Sequence, residues 1–226
     1  MRLYPEEPEA RAWESFDDVE LTVHLRALLP AREPALVLVD GRSGSGKSTF
    51  AERLARLLGG AVVHSDDIAW HLDPLDWADV LLDGVIAPWR RGEAISFRPP
   101  GWVSQGRPGS VEVPGRPLLV VEGVGAGRAD LAVGAELVVW VQADRDEARR
   151  RGLARDVALG RTPEEAEAFW DGWMRAEEPF LADDRPWSRA PLIVNGTPPQ
   201  ARPTGTFVAP GPLRSAPAAV DAGIVG

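Results

Sequence analysis

The chain has 226 residues, 44% of them hydrophobic, which is enough to bury one sizeable core and favours a single compact domain. Its net charge of −9 argues against nucleic acid or an anionic membrane as a general partner. The absence of cysteine excludes disulfides, thiolate metal sites and cysteine nucleophiles, and suits the cytoplasm. No apolar leader opens the sequence, and no uncharged apolar run approaches the span of a bilayer. Among 25 basic residues only Lys47 is a lysine, so that position is one where arginine does not serve.

From the N-terminus, Asp17 to Leu29 sets Val19, Val23, Leu25, Leu28 and Leu29 at helical spacing, and Pro30 and Pro34 end the pattern. Residues 1–34 read as an N-terminal helical extension. Ala35 to Asp40 is a short apolar strand, followed at once by the loop GRSGSGKST and by a helix that Gly59 and Gly60 close. Further apolar runs at 61–64, 118–121, 137–141 and 192–194 each adjoin a helical pattern or a loop, as buried parallel strands do. Between them lies an insert at 67–117, with a helix over 73–92 and a strand pair in ISFRPPGW and VEVPG. An arginine-rich helix occupies about 145–162. Residues 197–226 are rich in Pro, Gly, Ala and Thr and are expected to form a disordered or loosely attached tail. The alternation implies a three-layer α/β/α sandwich with a five-stranded parallel sheet over 35–196, binding ligands at the carboxyl ends of its strands.

Gly41 to Ser48 fits G-x-x-x-x-G-K-[ST], the loop in which glycines let successive N–H groups wrap phosphate oxygens at a helix N-terminus. Gly41, Ser43, Gly44, Ser45, Gly46, Lys47, Ser48 and Thr49 are the expected nucleotide cradle. Lys47 would reach the β- and γ-phosphates of ATP, and Ser48 would hold Mg²⁺. A Ras-type guanine reader needs a second lysine, which the chain lacks, and no LSGGQ-like transporter segment is present.

One such loop, an insert after the second strand and an arginine-rich helix after the fourth resemble the nucleoside and nucleotide kinase group. Within it, the uridine kinase and phosphoribulokinase family is the nearest in pattern. The resemblance runs from about Ala35 to Gly196. VVHSDDIAW at 62–70 is similar to the family's Ser-x-Asp-x-aromatic segment, which implies Asp67, in preference to Asp66, as the general base, with Trp70 near the substrate. LLVVEG at 118–123 resembles the strand that brings an acid beside the metal, which implies Glu122. Arg151, Arg155, Asp156 and Arg161 match the lid helix, implying arginines that close over the phosphates, Arg155 foremost. Asn195 falls where related kinases place a loop beside adenine.

Each of these residues has a plainer reading, as a capping acid, a strand-end acid or part of an ion-paired helix such as Glu147 with Arg151. In the insert, Trp70, Arg98 and Asp66 are candidates to stack on and anchor the acceptor, whereas Trp77 and Trp89 read as apolar-face residues. The family's tyrosine- and histidine-containing nucleoside segment is replaced by FRPPGW, which argues against uridine or cytidine. His24, His64 and His71 lack metal-ligand spacing. The expected activity is transfer of the γ-phosphoryl group of MgATP to a hydroxyl of a small metabolite. A nucleoside monophosphate kinase and a non-catalytic ATP-binding regulatory module remain as alternatives, and the acceptor and the oligomeric state, a homodimer included, stay open.

Overall fold

The computed structural model describes residues 1–31, 33–198 and 205–214. Strand β1 (Glu14–Phe16) leads into helix α1 (Asp18–Leu28), which Asp17 caps by accepting the N–H groups of Val19 and Glu20 while Glu20 closes a capping box. The helix lies where the sequence puts it, but its inward stripe is Leu21 and Leu25; Val19 and Val23 face solvent. The leucines lie four apart and pack toward α2, leaving the valines on the opposite side.

β2 (Ala35–Gly41) is buried at every position. It feeds through the glycine-rich loop into α2 (Lys47–Leu58), which Gly59 ends in a left-handed conformation, and β3 (Ala61–His64) follows. The insert contains α3 (Ser65–Ala69), α4 (Ala78–Leu81), a π-turn (Leu82–Ile86) and α5 (Ala87–Arg90). The expected single helix over 73–92 is thus shorter and carries a π-bulge at Gly84, where a Cβ would collide with the Phe97 ring. β4 (Ile95–Phe97), α6 (Pro100–Ser104) and β5 (Val111–Val113) complete it, β4 and β5 pairing antiparallel as expected.

Next come β6 (Leu118–Glu122), α7 (Ala129–Ala132), β7 (Leu137–Gln142), α8 (Arg145–Ala158), α9 (Pro163–Asp184), a 3₁₀ turn (Pro186–Ser188), β8 (Leu192–Asn195) and β9 (Thr206–Pro210). The sheet runs β1-β9-β8-β7-β2-β6-β3. Its five strands from β8 to β3 are the expected parallel set. The sequence did not disclose that β9 and β1 extend it antiparallel to seven strands. β9 falls inside the segment expected to be loose, yet Val208 and Ala209 are buried against the unpaired edge of β8. The rest of that segment, residues 199–204 and 215–226, lies outside the described residues.

Strand alternation divides the core. Val37 and Val39 face α1 and α2, while Leu36 and Leu38 face the insert and the buried pair Trp140 and Trp187, whose rings meet edge-on at 5.2 Å. Trp77 and Trp89 are buried as expected and donate their indole N–H groups to the Pro74 and Arg116 carbonyls. No helix among the described residues is long and apolar enough to cross a membrane.

Candidate active site

β2 delivers its last residues to the centre of the sheet's carboxyl edge, where the chain must turn sharply into α2. Gly46 makes the turn at φ 95°, and no side chain caps the helix, so the first N–H groups of α2 stay available to an anion. Gly44, at φ 74°, runs so close to α8 that a Cβ would sit 2.0 Å from the Ala148 carbonyl oxygen. Lys47 opens the helix and makes no hydrogen bond or ion pair among the described residues. A positive charge beside an uncapped helix N-terminus is suited to an anion such as phosphate.

Ser48, one residue on, donates its hydroxyl to Glu122 at 3.1 Å. Glu122 ends β6 almost fully buried, and its other oxygen meets His64 Nδ1 at 2.6 Å. This bond and the Glu122 charge hold the imidazolium form of His64 above its ordinary range, outweighing desolvation. A hydroxyl and a carboxylate form a hard-oxygen pair suited to Mg²⁺, which takes few protein ligands and fills its shell with phosphates and water. No group of three or more His, Cys, Asp or Glu among the described residues is placed to hold a metal ion.

Two buried networks that the sequence did not reveal hold the loop in shape. Asp40 accepts N–H groups from Gly41 (2.7 Å), Gly125 (3.0 Å) and Gly127 (2.9 Å), tying the turn after β6 to the start of the phosphate loop. Burial pushes its carboxyl up to about 7, opposed by the three N–H donors and the Lys47 charge. Arg42 stacks on Tyr4 at 3.7 Å and is surrounded by carboxylates: Glu6, Glu7 at 3.3 Å and Glu177 at 3.7 Å. Glu177 accepts the Ser43 N–H at 3.1 Å and the Trp173 indole at 2.6 Å, and Glu7 accepts those of Trp140 and Gln142. Residues 2–10 therefore strap the loop from outside, with Arg2 and Ala10 bonded to Asp144 and Gln142. The acid ending the apolar run of β2 was a legible signal for Asp40; Glu7 and Glu177 carry none.

A cavity of about 550 Å³ opens beside the loop. Ser43 and Lys47 line it from the loop, Asp66, Trp70 and His71 from α3 and the turn after it, and Arg155, Asp156 and Arg161 from α8 and its end. Phe169, Trp170 and Trp173 of α9 supply an aromatic wall that sequence reading missed, although their spacing places them on one side of a helix. The α3 turn is held by Ser65, which packs so tightly on Gly123 that a Cβ there would sit 1.7 Å from its hydroxyl. His71 adopts φ 60°, an uncommon conformation for a non-glycine residue, and its ring meets Trp70 edge-on at 4.3 Å. A shallower depression of similar volume on the outer side of α8 and α9 touches none of the loop residues.

The expected site residues separate into two groups. Ser43, Lys47, Asp66, Trp70 and Arg155 come together on the cavity. Asp67 is not one of its wall residues: its carboxylate lies 3.2 Å from Arg107, which stacks on Trp102 at 3.6 Å. Consecutive residues on a helix point about 100° apart, and here Asp66 faces the cavity while Asp67 turns toward Arg107. Arg98 lies exposed on the insert and donates to the Arg107 carbonyl, away from the cavity. Arg151 pairs with Glu147 at 2.8 Å and donates to the Gly196 carbonyl at 2.7 Å, joining α8 to the loop after β8 close to Gly46. Asn195 turns that loop by accepting the Thr197 N–H. Gly41 and Ser45 are buried within the phosphate loop, and Thr49 is exposed in the first turn of α2.

No family model and no curated protein matches this sequence. Solved structures do match it. A candidate fructose transport system kinase from Silicibacter sp. TM1040 aligns with a TM-score of 0.51 and 21% identity over 68% of this chain and 87% of its own. The YGR205w protein aligns with a TM-score of 0.53 and 15% identity over 79% and 90%. A candidate uridine kinase from Bacillus stearothermophilus is similar at 18% identity over 72% and 92%, with a TM-score of 0.42. At such identities the likeness is one of architecture: the chain shares the α/β fold of the first two structures, with a mostly parallel central sheet.

Proposed function

We propose that the protein is a phosphotransferase that moves the γ-phosphoryl group of MgATP to a hydroxyl of a small metabolite. The observation that carries this reading is the convergence of Lys47, Arg155 and Asp66 on one cavity beside an uncapped helix N-terminus. ATP would be the donor: the loop amides and Lys47 would hold its phosphates, and Arg151 and Asn195 would stand on the adenine side. Ser48 and Glu122 would hold Mg²⁺, which neutralises phosphate charge. Arg155 closes on the transferring group, and the acceptor enters between Asp66 and Trp70. Transfer needs positioning and charge stabilisation above all, with a carboxylate to take the hydroxyl proton.

Asp66 is the better base because it shares the cavity with Lys47, while Asp67 is engaged by Arg107. The test is ADP release with MgATP across nucleosides, nucleotides, sugars and vitamins, for wild type, Asp66→Asn and Asp67→Asn. A hydroxyl acceptor should stimulate release, Asp66→Asn should lower kcat by roughly 100-fold or more, and Asp67→Asn should cost less than about 10-fold. Reversed losses return the base to Asp67. ATP binding with no stimulation by any acceptor makes the protein a nucleotide-binding regulatory module.

A further inference from the structure

The cavity contains a group that the phosphoryl chemistry does not use. Asp156 is 2% exposed and is a wall residue of the cavity. Its Oδ1 accepts from Arg155 Nε at 3.1 Å and lies 3.8 Å from Arg161. Its Oδ2 is buried with no hydrogen-bond partner among the described residues. A buried carboxylate oxygen left unpaired is costly, and native structures rarely keep one without a use.

We infer that the acceptor is an alcohol that also bears a protonated amine, and that Asp156 holds this nitrogen. The inference rests on the phosphotransferase reading, since it concerns the other end of the same substrate. Two features of the cavity favour a cation. Trp70, Phe169, Trp170 and Trp173 line it, and aromatic faces attract ammonium groups. Once Lys47 and Arg155 are engaged by phosphates, Asp66 and Asp156 are balanced by Arg161 alone, and its guanidinium sits over the Phe169 ring at 3.9 Å. The acceptor space is then net negative, so it repels sugar acids and phosphorylated acceptors and is matched by one positive charge. A neutral polyol could satisfy Oδ2 but would gain nothing from the aromatic walls.

Binding in the presence of a saturating non-hydrolysable MgATP analogue, which engages Lys47 and Arg155 but cannot transfer a phosphoryl group, separates this inference from the chemistry. The probes are phenylalaninol, 3-phenylpropanol without the amine, 3-phenyllactate as an alcohol of similar size that bears a carboxylate and no amine, and sorbitol, titrated by ligand-detected NMR. Phenylalaninol should bind at least about 10-fold tighter than 3-phenylpropanol, with 3-phenyllactate and sorbitol weaker still. Asp156→Asn, which keeps size and one oxygen, should erase the margin while the melting temperature confirms folding. Trp70→Leu, at a residue that takes no part in the Asp156 ion pairs, should shrink it as a second variant. No margin in wild type, a margin that survives Asp156→Asn, or preference for sorbitol or 3-phenyllactate overturns the proposal. If the margin depends on Asp156 but no hydroxyl compound yields ADP, the phosphotransferase reading fails and the amine subsite stands. If a neutral or acidic alcohol yields ADP and the margin is absent, the subsite fails and the phosphotransferase stands.

Discussion

Asp40 shows how a residue outside the phosphate loop governs its shape. Its two oxygens share three backbone N–H groups, an arrangement that an amide cannot reproduce because its nitrogen would face a donor. Asp40→Asn should therefore cost about 1–3 kcal/mol in chemical denaturation. Folding raises the carboxyl from 3.8 to about 7, so across that interval the folded protein holds the proton more tightly than the unfolded chain. The Asp40 contribution to stability is greatest below 3.8 and declines as pH climbs to about 7. Denaturation midpoints over this window should fall more steeply with pH in wild type than in Asp40→Asn, and parallel curves would refute the shift. At this scale Lys47, Ser48 and Glu122 were legible, because contiguous residues at a strand end or helix start have their surroundings dictated by the turn they make. Asp66 and Asp67 were not separable, since adjacency in sequence gives no information on which side of a single helical turn meets a cavity.

α8 and α9 meet through an absence. Gly152 leaves room for the Trp170 ring, and a Cβ there would lie 2.0 Å from it. Gly152→Ala should push α9 off α8, costing about 1–3 kcal/mol and displacing Trp170 relative to Arg155 in the shared cavity. Gly172→Ala, where the added methyl meets only an arginine tip at 3.6 Å, should be neutral or stabilising by up to about 1 kcal/mol. Melting temperatures of the two variants decide the matter, and equal shifts would show that the Gly152 contact does not matter. The helices themselves were readable from caps and periodicity. Their pairing was not, because it depends on one missing side chain opposite one large one.

The sheet's far edge joins segments from the two ends of the described chain, Glu14 pairing with Val208 and Leu192 with Pro210. The five parallel strands could be read because each is built on a short apolar run. β9 could not, for a five-residue strand between prolines has no period of its own and is defined by the edge it covers. Ending the chain at Pro198 should expose the buried β8 edge and strip β1 of its partner. The melting temperature should drop and light scattering should grow with concentration; an unchanged melt would mean that β9 is not part of the cooperative unit. The N-terminal strap adds a second long-range tie, since Glu6 and Glu7 neutralise a nearly buried arginine within the loop.

Because Lys47 is the single lysine, the chain offers one side-chain amine to covalent chemistry, and it stands on the cavity with no ion-pair partner among the described residues. A reagent specific for side-chain amines should therefore add one mass increment, and a lysine-directed protease has one bond to cut. ATP should slow both reactions, so the intact mass of a briefly acylated sample measures the fraction of molecules whose loop was empty. The same scarcity that marked Lys47 in the sequence makes the protein its own occupancy gauge.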